Sequence, residues 1–292
     1  MNPLLRALIV SVGKNVAWVV LDGETEPRLA ALRRMSGKRS MPVPGDEARV
    51  RMLEDGTTVV DVLEPRRFTL FRRSVSGREK TMAANVDTLV TVTALAMPAP
   101  RLVTLDQLLA FAALENIAAT VVFTKPDLAD AAQRADLEAT YERIGYPVVT
   151  INPKFGENVE GLRGALAGKH ALLCGNSGVG KSSIFRALGG DATVGETSRH
   201  GLGRQTTTTA RLYRMADGFL IDSPGVNEFG LGAIGPRDLT EGFVEMREPA
   251  TRCRFTDCTH LREPGCGVRT ALDAGEIAPS RYASFVQIAQ EG

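Results

Sequence analysis

Cysteine is scarce in this chain, with four in 292 residues. That is too few to staple a fold of this length, which excludes the disulfide frameworks of small secreted domains. Aromatic residues amount to 5%, with Trp18 the single tryptophan. No apolar run approaches the ~20 residues that span a bilayer. Met1–Leu8 lacks a secretory layout and reads straight into an alternating pattern. Neither charge sign dominates: 35 basic and 34 acidic side chains give +1, which excludes acidic solvating chains and histone-like ones. At ~150 residues per domain the length suggests two domains or three small ones. A cytoplasmic protein without a membrane partner is expected.

Charge is uneven along the chain. Residues 1–80 carry +5, 81–170 carry −3, 171–240 carry +1 and 241–292 carry −2. Basic clusters occur at Arg33, Arg34, Lys38 and Arg39, and at Arg66, Arg67, Arg72 and Arg73. They read equally as a face attracting phosphate backbones and as ordinary solvated loops.

Runs rich in Val, Leu and Ile at 5–12, 16–21, 29–34, 47–53 and 58–63 are punctuated by Asp22-Gly23, Pro42 to Asp46 and Asp55-Gly56. Five short strands at this spacing predict a small β-barrel. The Gly/Arg/Lys-rich stretch from Arg72 to Lys80 reads as a linker. From residue 85, apolar runs at 86–95, 119–123, 147–151 and 170–174 alternate with helical periodicity at 104–114, 131–143 and 157–167. That alternation predicts a parallel sheet with crossover helices. Beyond about 240 the pattern fades into a Cys/Pro/Gly-rich tail that ends helically near 280–290.

Gly175-Asn176-Ser177-Gly178-Val179-Gly180-Lys181-Ser182, followed by Ser183, fits G-x-x-x-x-G-K-[ST]. It lies between an apolar strand (Ala171–Cys174) and a helical run (Ser183–Leu188), the context this phosphate-binding loop requires. Glycines let successive N–H groups turn toward phosphate oxygens, and the helix start adds a favourable dipole. Lys181 then reaches the β/γ-phosphates and Ser182 ligates Mg²⁺. Asp222-Ser223-Pro224-Gly225 ends another apolar strand and fits the D-x-x-G switch, in which Asp222 acts through Mg²⁺ and the Gly225 N–H senses γ-phosphate. The Thr206–Thr209 run supplies hydroxyls for the metal, and it also reads as a solvated loop.

Base selection falls to Thr124-Lys125-Pro126-Asp127, an [NT]-K-x-D element at the end of the run Thr120–Phe123. An Asp carboxylate accepts from guanine N1–H and the 2-amino group, a donor pair adenine lacks, while the Lys stem packs on the base. The element precedes the phosphate loop, whereas an ordinary GTPase places it after the switches.

That order, with Gly-Asn-Ser-Gly-Val-Gly-Lys-Ser-Ser at 175–183, Gly-Arg-Gln-Thr-Thr-Thr-Thr-Ala-Arg-Leu-Tyr at 203–213 and Phe-Leu-Ile-Asp-Ser-Pro-Gly at 219–225, resembles the RsgA/YjeQ family of circularly permuted, ribosome-small-subunit-dependent GTPases. The resemblance implies a multidomain chain: an N-terminal OB-fold β-barrel over 1–72, a central circularly permuted α/β P-loop GTPase over 73–240, and a small zinc-binding domain with helices over 241–292. It also implies GTP and GDP as ligands, and the small ribosomal subunit with its rRNA as partner, touched by barrel and zinc domain during late maturation. A monomer is expected. Two positions depart from the family pattern: Thr124 stands where Asn is usual, and Gln205 where His is usual. The resemblance makes Gln205 the water-positioning residue, and Thr207 joins Ser182 as a magnesium ligand. The third guanine-contact element falls near Thr150-Ile151-Asn152, without the usual Ser-Ala-Lys wording.

Cys253, Cys258, His260 and Cys266 form C-x₄-C-x-H-x₅-C. Three thiolates and an imidazole suit one tetrahedral, closed, structural Zn²⁺ per chain, whose binding would help fold a tail with little else to order it. Cys174, on the strand before the phosphate loop, reads as a buried small hydrophobe, and His170 and His200 have no visible partners. Val226 follows Gly225 where many GTPases carry a water-orienting glutamine, so slow intrinsic turnover and stimulation by the ribosome are expected. Two other readings remain: an rRNA-binding scaffold with a vestigial nucleotide site, and a P-loop ATPase unrelated to ribosomes.

Overall fold

The computed structural model describes residues 3–24, 26–32, 41–73, 79–189, 211–215, 218–222 and 235–291. The chain divides into two compact units. One comprises Met1–Asp87, Arg163–Leu173 and Ser182–Gly225; the other comprises Thr88–Leu162, Cys174–Lys181 and Val226–Gly292.

The first unit begins with β1 (Leu5–Val12), β2 (Val16–Leu21), β3 (Arg28–Leu32), β4 (Glu47–Met52) and β5 (Thr58–Leu63), closed into a barrel in the order β1-β2-β3-β5-β4. Alternation explains closure: Ala7 and Ile9, Ala17, Val19 and Leu21, then Ala30, Ala48, Val50 and Val60 share one core. A register shift between Ile9 and Ser11 bends β1 as closure requires. The five strands predicted from the sequence are therefore present. The predicted linker is not a linker at its ends: β6 (Thr69–Arg73) and β7 (Glu79–Ala84) pair antiparallel, with Arg72 opposite Lys80 and Arg73 opposite Glu79. Charges along both strands hid the period-2 pattern.

In the second unit β8 (Thr88–Ala94) is buried at every position, including three threonines. It pairs in parallel with β9 (Ala118–Thr124), which pairs in parallel with β10 (Val148–Ile151). The crossovers are α1 (Leu102–Leu114) and α2 (Ala131–Ile144). Asp130 caps α2 by accepting from Ala132 N and Gln133 N, and Gly145 ends it at φ 104°. A short helix α3 (Val159–Ala165) leads to β11 (His170–Cys174) and α4 (Lys181–Ala187). Within the first unit β13 (Gly218–Asp222) pairs in parallel with β11 and antiparallel with β12 (Arg211–Met215). Parallel strands joined by helices bear out the α/β expectation.

The chain closes on α5 (Pro236–Gly242), α6 (Arg247–Thr251), α7 (Gly267–Asp273) and α8 (Pro279–Glu291). Leu239, Phe243, Met246, Val268, Ala271, Phe285 and Ile288 share a core with Ala110 of α1. Beside that core lies a buried polar knot. Arg281, 0% exposed, places Nη1 2.5 Å from Asp106 Oδ1 and Nε 2.6 Å from Glu245 Oε1. Its guanidinium lies 4.4 Å from the Phe243 ring centroid, and Tyr141 Oη donates to the same Asp106 oxygen at 2.8 Å. Burial pushes the Asp106 carboxyl up, against the pull of Arg281. Burial alone would lower the Arg281 pKa, but the two carboxylates more than reverse it, so the guanidinium stays charged. No helix among the described residues is long and apolar enough to cross a membrane.

Candidate functional site

β11 ends at Cys174, 1% exposed, the buried small side chain expected there. The chain then turns at Gly175, whose φ of 142° disfavours other residues and where a Cβ would meet Val92 O at 2.2 Å. The loop Asn176–Gly180 delivers the chain into α4, with Ser182 and Ser183 in its first turn. Lys181 Nζ folds back over the loop, donating to Gly175 O at 2.5 Å and Asn176 O at 2.8 Å. A lysine over main-chain carbonyls at the mouth of such a loop is placed to exchange them for phosphate oxygens.

The structure brings the Thr124–Asp127 element to this loop. Thr124, fully buried, donates from Oγ1 to Val179 O at 2.6 Å. Lys125, at φ 58°, donates from Nζ to Gly178 O at 2.9 Å and to Met97 O. Threonine's single hydroxyl thus makes the tie to the phosphate loop where the family pattern has Asn. Pro126–Leu128 forms a 3-10 turn that leaves Asp127 exposed.

Asn152 closes this corner. It is 3% exposed, and its Nδ2 donates to Asp127 Oδ1 at 2.7 Å. It also bridges to Glu157, which makes 152–157 a tight turn. The region near Thr150 expected to supply the third guanine contact therefore reaches the Asp127 carboxylate through Asn152. In sequence its only signal was position after an apolar strand.

Asp222 ends β13 opposite Leu173 of β11, the strand end that D-x-x-G requires. Gln205, Thr207, Gly225 and Val226 lie outside the described residues, as does His200. His170 does have partners: its ring stacks on Phe219 at 4.2 Å and 6°, and Nδ1 lies 3.3 Å from Arg67 Nη2.

Along the chain the Thr124–Asp127 element precedes the Gly175–Ser183 loop. A profile described as RsgA GTPase matches residues 63–232. The chain belongs to the RsgA GTPase family. It is 41% identical to the small ribosomal subunit biogenesis GTPase RsgA of Azotobacter vinelandii, over 99% of this chain and 86% of the relative. It is 39% identical to the protein of the same name from Pseudomonas aeruginosa strain LESB58, over 94% and 84%. It superposes on the crystal structure of YjeQ from Thermotoga maritima with TM-score 0.79 and 31% identity, covering 99% of this chain and 98% of that one. YloQ, described as a circularly permuted GTPase, shares the fold with TM-score 0.73 at 23% identity, covering 99% and 95%.

In this RsgA-family chain the four expected ligands also meet. The donor atoms of Cys253, Cys258, His260 and Cys266 all lie within 4.8 Å of one another. Cys253 Sγ and Cys266 Sγ each lie 3.5 Å from His260 Nδ1 and 4.0 Å from each other. A tetrahedral zinc with its ordinary bond lengths sets such edges at about 3.5–3.8 Å, so the donor set fits that ion. Burial pushes the Cys258 thiol up to about 12 and raises Cys266, so a cation is needed to hold these sulfurs as thiolates. Two supports could not be read from sequence. Tyr282 Oη donates to His260 O at 2.7 Å. The Glu263 carboxylate accepts from Thr259 N at 2.9 Å and Thr259 Oγ1 at 2.5 Å, and these hydrogen bonds hold its pKa down at about 2.

Proposed function

We propose that this chain binds GTP across the Thr124–Asp127 turn and the Gly175–Ser183 loop, hydrolyses it, and acts in biogenesis of the small ribosomal subunit, as its relatives' names say of them. The carrying observation is the pair of hydrogen bonds from Thr124 to Val179 and Lys125 to Gly178, which tie the base reader to the phosphate loop across 55 and 53 residues of chain. In this reading Asp127 accepts from guanine N1–H and the 2-amino group, Lys125 packs on the base, and Gly175 to Gly180 cradle the phosphates. Lys181 leaves its carbonyls for the β/γ-phosphates. Ser182, Thr207 and Asp222 offer only hard oxygens, a donor set that suits Mg²⁺. Bound there, Mg²⁺ would neutralise charge on the β- and γ-phosphates. Gln205 orients the attacking water, the Gly225 N–H meets the γ-phosphate, and Val226 contributes no polar group.

Turnover is slow alone and stimulated by binding to the small subunit. The barrel and the zinc-holding module contact rRNA. The protein works as a cytoplasmic monomer carrying one structural Zn²⁺. GTP hydrolysis with and without purified small subunits tests the reading. Stimulated GTP turnover, with ATP neither bound nor cleaved, is expected. Equal use of ATP contradicts the base assignment, and no turnover under either condition returns the chain to a scaffold. Gln205→Ala should keep GTP binding and lose most stimulated turnover, and Thr207→Ala should lose turnover through Mg²⁺.

A further inference from the structure

Helix α8 carries two adjacent anchors that reach different partners. Tyr282 Oη donates to His260 O at 2.7 Å, on the turn that holds two of the candidate metal ligands. Arg281 beside it reaches Asp106 of α1 at 2.5 Å and Glu245 at 2.6 Å. We propose that this pair links metal and nucleotide: guanine nucleotide on the Thr124–Asp127 turn tightens the hold on zinc, and zinc tightens the hold on the nucleotide. The proposal rests on Asp127 reading guanine and on zinc filling the cysteine–histidine site.

The route from α8 to the base reader is short. Asp106 Oδ1 accepts from Tyr141 Oη at 2.8 Å, and both residues are buried. Tyr141 lies on α2, and its ring packs on Phe123 with centroids 5.9 Å apart. Phe123 precedes Thr124, whose hydroxyl ties the reader to the phosphate loop at Val179 O. A second tie leaves the same helix: Glu138 accepts from Thr150 Oγ1 at 2.5 Å, two residues before the Asn152 that donates to Asp127. α2 itself starts from the Asp130 cap, three residues past Asp127. One helix therefore braces both strand ends of the base corner, and Asp106 and Arg281 brace that helix.

Docking of α8 is the element that both ligands bias. Undocking pulls Arg281 from Asp106 and Glu245 and leaves buried carboxylates uncompensated, so half-docked positions are costly. Phe285 of the same helix packs edge-on against Phe243 at 5.5 Å and lies 6.1 Å from the His260 ring, so the ligating turn and α8 dock together. Space is tight where α5 meets α1: a Cβ on Gly242 would lie 2.9 Å from Ala110 Cβ. Zinc favours the docked helix by fixing His260. A nucleotide favours it by fixing Asp127 and, through Phe123 and Tyr141, Asp106. Linkage makes the two effects equal in free energy.

The test is the zinc affinity of the full chain, read by equilibrium competition with a zinc-selective chelator, without nucleotide and with saturating GDP or ADP. ADP offers the same diphosphate to free zinc and so controls for chelation. GDP should tighten zinc by about five- to tenfold, and ADP should not. Tyr141→Phe keeps a ring on Phe123 but cuts the bond to Asp106. It should still bind GDP and zinc, with the GDP factor reduced to below about twofold. Because that factor is a ratio, a general loss of stability cancels from it. Equal zinc affinity with and without bound GDP in the wild type overturns the linkage. A factor unchanged in Tyr141→Phe overturns the route through the Arg281 knot. Direct nucleotide binding keeps the premise separate: GDP held no more tightly than ADP removes the Asp127 reading itself, and a wild type that binds no zinc removes the metal assignment.

Discussion

The barrel and the C-terminal helices are both small, yet they build their cores by opposite means. Inside the barrel, Ile9, Val19, Val50 and Val60 meet by simple alternation, and no charge is needed. In the C-terminal module three of the buried positions, Cys258, His260 and Cys266, belong to the group that could hold a metal ion, and the largest fully buried side chain among the described residues is Arg281. An apolar core tolerates piecemeal loss, since each side chain contributes its own area and cavity term. A core organised by a metal and a paired charge fails when one partner goes, because the survivor is left buried and uncompensated.

The largest expected effect follows from the metal. Cys258→Ser, or chelation of the wild type, should release about one Zn²⁺ per chain and expose 236–291 to protease. Structural zinc supplies on the order of 10 kcal/mol or more to such modules. Elemental analysis with limited proteolysis checks this, and full retention of metal and resistance would put the module on the barrel's side of the comparison. Next comes Arg281→Ala, which strands Asp106 and Glu245 and should cost about 3–5 kcal/mol by denaturant unfolding. In Arg281→Met with Asp106→Leu and Glu245→Met the apolar set should recover most of that loss, and if it recovers none the knot is not an ion-pair effect. In the barrel, Ile9→Ala should cost about 2–4 kcal/mol through a cavity and leave zinc content unchanged. Smallest is Tyr282→Phe, which removes the hydrogen bond to His260 O and should cost about 1 kcal/mol with a modest loss of zinc affinity in a chelator competition.

The same contrast decides what could be read from the sequence. The barrel strands and the β8 to β11 runs were legible because burial on one face or two writes itself as alternation or as an unbroken apolar run. The β6–β7 pair was not, since Arg72, Arg73, Glu79 and Lys80 interrupt the alternation in sequence beside the buried Leu70, Ala83 and Ala84. Helices α5 to α7 have five to seven residues each, too short for a 3.6-residue period to declare itself. Arg281 and Asp106 are 175 residues apart, and nothing local marks either as buried. At the site, the phosphate loop, the Thr124–Asp127 element and the cysteine cluster were legible because their chemistry fixes residue type and spacing. Asn152 was placed only loosely, because an amide that orients a carboxylate can come from many side chains at many spacings.

The functional reading turns on one claim: the turn at Asp127 reads the base of a nucleotide whose phosphates lie in the Gly175–Ser182 loop. Affinities of Asp127→Asn for GTP and xanthosine triphosphate test it most directly. Xanthine carries a 2-oxo group in place of the 2-amino group, which the new amide can satisfy. GTP should weaken by on the order of 2–4 kcal/mol, the worth of two charge-assisted hydrogen bonds, while xanthosine triphosphate tightens. Unchanged GTP affinity, with no gain for xanthosine triphosphate, would contradict the account.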